Sequence, residues 1–159
     1  MLRGLALLIL CALAFNVDAQ DKRAYTNYML HCQGCHLPQG EGALGAVPRL
    51  KNFVGYFLHS REGREFIAQV PGVTMSSLDN EELSELLNWM VRAYSEEQLP
   101  RQFMPYTSDE IEQLRKTPNP DPLGQRNSIL DMVAEGLPCL LYTSPSPRDA
   151  TLSRMPSSA

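Results

Sequence analysis

Residues 32–36 read Cys-Gln-Gly-Cys-His, and no other stretch narrows the possible folds of this chain as much. Two thiols three residues apart lie on one side of a helical turn, and the imidazole that follows adjoins them. Such a pentad can serve as a redox dithiol, contribute to a zinc site or bond a haem. A redox dithiol belongs in a βαβ setting that the chain lacks, and it has no use for the following His. A structural zinc site needs four ligands, and residues 20–138 offer no second cysteine pair. The spacing Cys-x-x-Cys-His is the attachment signature of c-type haem. Each thiol adds across one vinyl group, and the His presents a ring nitrogen to the iron. Cys32, Cys35 and His36 are therefore the candidate residues for one covalently attached haem c.

That chemistry needs an oxidising, exported compartment, and the N-terminus agrees. Arg3 supplies a positive start, and Leu5 to Phe15 is an apolar run too short to span a bilayer as a helix. Val17-Asp18-Ala19 fits a cleavage site, so residues 1–19 read as a secretory signal peptide directing the chain to the periplasm. Cys11 lies inside the apolar run and is given no role. No integral membrane segment is expected after cleavage.

At the other end, residues 139–159 read as the translation of a sequencing-library adapter. Cys139 to Ser144 back-translates as TGT CTC TTA TAC ACA TCT, and Ser153 to Ala159 fits the far end of the same adapter. The expectation is read-through, with the natural C-terminus lost near Leu137. The bland alternative is a Ser/Pro-rich tail.

Residues 20–138 suffice for one small domain. They carry 11 Lys and Arg against 16 Asp and Glu, a balance that excludes a nucleic-acid binder. The acidic residues cluster at Asp79–Glu85, Glu96–Glu97 and Asp109–Glu112, and are read for the most part as solvated helix faces. Cys32 and Cys35 are the only cysteines in this range, too few for a disulfide-stapled scaffold.

The pattern is helical throughout, with no strand of length. Residues 24–30 predict a short helix leading into Cys32. Residues 36–47 hold three Gly and one Pro without apolar period, which predicts a loop. Residues 61–69 predict a helix stopped by Pro71-Gly72. The clearest element is 79–94, where Leu83, Leu86, Leu87, Met90, Val91 and Tyr94 recur at helical spacing. Asp79 and Glu82 form a capping-box pattern at its start. Thr107 and Glu110 predict a second capping box, opening a short helix to about Lys116. Residues 117–122 are a Pro-rich break, and residues 127–135 predict a last helix.

Over residues 24–94 the chain resembles the small class I cytochrome c family. The likeness rests on the haem motif after a short helix, on Gly40-Glu41-Gly42, on Val47-Pro48-Arg49-Leu50, and on the capped helix carrying Trp89-Met90-Val91. The resemblance implies an all-α domain at 20–94 around one haem, with residues 95–138 as a helical extension. It implies that Trp89 packs near the first helix. It also implies that the Pro48 carbonyl binds and orients the His36 imidazole.

The sixth iron ligand is left open between several residues. The family pattern places a Met in the loop before the last core helix, where Met75 stands. Met104-Pro105 resembles the usual Met-Pro pair but follows that helix. His59, His31 and an open or water-bound iron are the other readings. Met29, Met90 and Met132 fall in helical stretches and read as packing. With His36 and Met75 the resemblance implies an electron carrier rather than an enzyme, serving redox proteins: a dehydrogenase and a downstream acceptor. Arg49, Lys51, Arg61 and Arg64 are expected to steer an acidic partner. An open iron would instead bind a small gas. A third reading makes the chain a haem-bearing subunit docked on a larger dehydrogenase.

Overall fold

A computed structural model describes residues 19–136. The signal-peptide reading, apart from Ala19, and the adapter reading lie outside the described residues. The fold is all-α. Its helices are α1 (residues 19–31), α2 (Gln33–His36), α3 (Arg61–Gln69), α4 (Pro71–Thr74), α5 (Asn80–Ser95), α6 (Ser108–Leu114) and α7 (Pro122–Gly136), with 3-10 turns at Val54–His59 and Glu96–Gln98. Among the described residues the only β-pairing is an isolated bridge between Ala43 and Val47. None of these helices is long and apolar enough to cross a membrane.

Helix α5 forms for the reasons its sequence gives. Asp79 accepts from the Glu82 amide at 2.8 Å, and the Glu82 carboxylate accepts from the Asp79 amide at 3.3 Å, closing the capping box. Its six-residue apolar stripe is buried throughout, with Val91 fully enclosed. A charged residue is drawn in beside it. Glu85, read with its acidic neighbours as solvated, is buried and accepts from Arg23 and Gln20 of α1.

Helix α1 lies along this stripe. Trp89 sits 5.5 Å from the Tyr25 ring and 5.6 Å from the Tyr28 ring, as the family resemblance implies for the aromatic of the last core helix. Tyr94 completes the cluster, 5.1 Å from Tyr28. Ring pairs at such separations contribute about 0.5–1.5 kcal/mol each beyond their buried area.

Some elements depart from expectation. Phe53 to Leu58 is an unbroken apolar run with no helical period, and it folds as the 3-10 turn Val54–His59, most of it buried. Pro71-Gly72 does stop α3, but Pro71 also opens α4, where its missing N–H costs nothing. Pro122 likewise opens α7 five residues before the expected start, with Asp121 accepting from the Gly124 amide at 3.0 Å. The expected box at Thr107 is half formed. Thr107 accepts from the Glu110 amide at 3.2 Å, but the Glu110 carboxylate is turned to Arg64.

The chain beyond α5 shares the same core. Tyr106, Ile111, Ile129 and Val133 join the buried cluster of α3, α5 and the Val54–His59 turn. Met90 packs in that core, as expected, whereas Met29 and Met132 stand exposed.

Candidate haem site

The cysteine pentad begins where α1 ends. Cys32 leaves helical geometry (φ −124°, ψ −37°), and α2 then turns once, with the amides of Cys35 and His36 both donating to the Cys32 carbonyl at 3.1 and 2.9 Å. Both thiols are free. Cys35 is exposed and Cys32 half-buried. Burial, followed by the nearby Cys35, pushes the Cys32 thiol up to about 11.

The loop after His36 is shaped to hold one contact. Gly42 donates to the His36 carbonyl at 3.0 Å, and the Ala43–Val47 bridge folds the chain back. This brings the Pro48 carbonyl 3.0 Å from Nδ1 of His36. With Nδ1 as the donor, the neutral ring keeps Nε2 for a metal. Burial lowers the His36 pKa, and the Pro48 contact opposes that shift.

Gly42 is essential to this geometry. It sits at φ +68°, and a Cβ there would stand 2.5 Å from the Val47 carbonyl oxygen and 2.8 Å from that of Pro48. Only Gly admits both the conformation and the close approach.

Two tyrosines fix the other side of the turn. Tyr28 of α1 donates to the Leu37 carbonyl at 2.6 Å, and Tyr94 of α5 donates to the Pro38 carbonyl at 3.0 Å. Leu37 has positive φ (65°), so these clamps hold a strained residue directly after the imidazole. Sequence reasoning assigns Tyr94 to packing alone and gives Tyr28 no role. Their hydroxyls have no readable partner, because neither carbonyl is placed until the loop folds.

The other candidate residues lie in different settings. Met75 ends α4 in the bridge region (φ −93°, ψ 0°) and is 83% exposed; Met104 is 71% exposed, its carbonyl bound by Arg64. His59 has Nε2 2.9 Å from the Gln98 carbonyl. His31 is exposed. The steering cluster needs correction at Arg64. Its guanidinium is committed to Glu110 at 2.6 Å through both Nε and Nη2, and to the carbonyls of Met104 and Pro105. Held by these bonds, it is a structural clamp. Arg61 pairs with Glu65 one turn on.

The donor set fits a covalently attached haem. Among the described residues no group of three or more His, Cys, Asp or Glu is gathered to hold a metal. Thioether attachment needs no such convergence: it needs two free thiols one turn apart and one oriented imidazole.

No protein-family model matches the chain. No solved structure matches it. Two curated proteins do, both from Thermus thermophilus and both named cytochrome c-552. The first is 30% identical over 129 residues, covering 70% of this chain and 84% of that protein. The second is 31% identical over 102 residues, covering 53% of this chain and 78% of the other. With the haem motif, its oriented histidine and the helical fold all in place, the chain belongs to the c-type cytochrome family that includes cytochrome c-552.

Proposed function

We propose that this c-type cytochrome is an exported, periplasmic carrier of single electrons between a dehydrogenase and a downstream acceptor. Cys32 and Cys35 would bond one haem c, and His36 and Met75 would hold its iron. When bound, the haem supplies an iron that cycles between Fe(III) and Fe(II), and a thioether ligand favours the reduced form. The chain's own residues do the rest. Pro48 holds the His36 ring by Nδ1, Tyr28 and Tyr94 hold the turn behind it, and the α1–α5 seam keeps that end of the molecule rigid. Rigidity matters because an electron carrier works best when its ligands move little between oxidation states.

The observation that carries this reading is the 3.0 Å contact between His36 Nδ1 and the Pro48 carbonyl. With Nδ1 donating, this contact would orient the ring and leave Nε2 for the iron, which supports the reading of His36 as proximal ligand. Met75 is favoured over Met104 because it lies on the short connection between α4 and α5, just before the last core helix, where the family resemblance puts the ligand. The 83% exposure of Met75 also sustains a second reading, an iron with an open position that binds a small gas.

An absorption spectrum of the exported, haem-loaded chain tests both. The carrier shows a c-type spectrum, a weak far-red Met–iron band when oxidised, and no shift with CO when reduced. Met75→Ala abolishes the band and Met104→Ala keeps it. A ready CO shift in the unmutated protein turns the reading to gas binding, and absence of covalent haem overturns both.

A further inference from the structure

We propose that Arg115 of the C-terminal extension is a positioning residue for the loop that carries the sixth ligand. The inference rests on the assignment of Met75 above. Arg115 follows α6 directly. Its Nη1 donates to the Leu78 carbonyl and to Asn80 Oδ1, both at 3.0 Å, and its Nη2 donates to the Ser76 carbonyl at 2.7 Å. Residues 76–80 are thus gripped at three points from an element 35 to 39 positions away in the chain.

The loop needs an external grip. Upstream, the Met75 amide donates to Pro71 at 3.0 Å and the Ser76 amide to Val73 at 3.2 Å. Downstream, the capping box begins at Asp79. Between these anchors the carbonyls of Ser76 and Leu78 are acceptors bound by Arg115. Met75 itself is mostly exposed, so protein packing does little to fix its thioether. What fixes it is the backbone on either side, and Arg115 holds the downstream half.

The arginine is itself well seated. Its amide donates to the Ile111 carbonyl at 3.0 Å, and Ile111 is fully buried. Ile111, Leu114 and Arg115 stand at i, i+3 and i+4, on one face of the helix directed at the core. A guanidinium serves three acceptors in a fixed plane, which an ammonium does not. The neighbouring Lys116 turns the other way, to Glu112.

The test is competition for the iron in the haem-loaded full chain. Imidazole displaces a methionine ligand in the oxidised protein, and the far-red band reports the displacement. Arg115→Leu is expected to lower the imidazole concentration at half-displacement about tenfold, with covalent haem content unchanged. Arg115→Lys falls between Leu and the unmutated protein, and serves as the measurement if Arg115→Leu does not accumulate. Arg64→Met removes a comparable clamp away from this loop and is expected to lower stability without changing imidazole affinity. Equal imidazole affinity in Arg115→Leu, Arg115→Lys and the unmutated protein would overturn the proposal while leaving Met75 as ligand. An equal gain in Arg64→Met would overturn it as well, since loosening anywhere would then suffice. If Met75→Ala retains the far-red band, the axial assignment fails, and the role of Arg115 toward it fails with it.

Discussion

The α1–α5 seam and the 99–116 part of the extension hold onto the same core by different means. The seam is aromatic: Tyr25, Tyr28, Trp89 and Tyr94 meet ring against ring, and two of those hydroxyls continue into the haem loop. The 99–116 segment buries Tyr106 and Ile111, but its backbone is tied down by polar side chains. Arg64 takes the carbonyls of Met104 and Pro105, Arg115 takes those of Ser76 and Leu78, and Asn88 exchanges two bonds with the backbone of Tyr106, at 2.7 and 2.9 Å. Burial drives the first without fixing direction. Directional hydrogen bonds place the second, because a segment with little period of its own must be told where to lie.

The largest effect is expected in the loop that the seam's hydroxyls reach, from Gly42→Val. A branched side chain at φ +68° is strained, and its Cβ meets the Val47 and Pro48 carbonyls well inside contact distance. The expected loss is about 3 kcal/mol of unfolding free energy. Denaturant titration of the haem-loaded protein measures it. The same variant should perturb the haem spectrum, because the Pro48 carbonyl is displaced from His36. A stable variant with an unchanged spectrum would show that the loop has another way to present that carbonyl.

On the extension's side the matching cut is Arg64→Met, which keeps the apolar stem and removes every hydrogen bond. Glu110 loses its bidentate partner, and the cation over the Tyr106 ring, 4.1 Å from its centroid, is lost too. Both side chains are partly exposed, so solvent recovers some of the loss, and the expected cost is about 1–2 kcal/mol. Adding Glu110→Gln should restore part of it, since the uncompensated charge is then gone. A double variant no better than the single would mean that the carbonyl contacts, not the ion pair, carry the clamp.

The contrast also explains what is readable in the sequence. Helix α5 is legible because its stripe, cap and length are local patterns. So are α3 and the loop that brings Pro48 to His36, where the family resemblance supplies the pairing. The Val54–His59 turn is not, because Phe53 to Leu58 is buried on several sides and shows no period. In the sequence Arg64 reads as a steering charge, and Arg115 draws no notice. Their partners lie 35 to 46 positions away, and nothing in a local window marks an arginine as bonded to a distant carbonyl. One signal is available: Arg115 stands one turn after Ile111 on an apolar face, where a solvated charge does not belong. The axial ligand is hard to single out for a related reason. A methionine near a helix start reads the same whether it faces iron or solvent.

The smallest effect separates a clamp from a pair that only resembles one. Lys116 and Glu112 meet at 2.8 Å, close to the distances made by Arg64, but their side chains are 56% and 49% exposed. Water competes for both charges, and two flexible side chains must be ordered to form the pair. Lys116→Ala should therefore leave the unfolding midpoint at neutral pH within experimental error. The sign of any residual effect is fixed. The Lys116 hydrogen bond and charge hold Glu112 below the ordinary carboxylate range, so its contribution is present above that range and fades as pH falls through the depressed value. A loss at Lys116 rivalling that at Arg64 would mean that exposed charge pairs also hold the extension. The distinction between backbone clamps and surface pairs would then fail, because distance alone, rather than burial and the identity of the acceptor, would predict what matters.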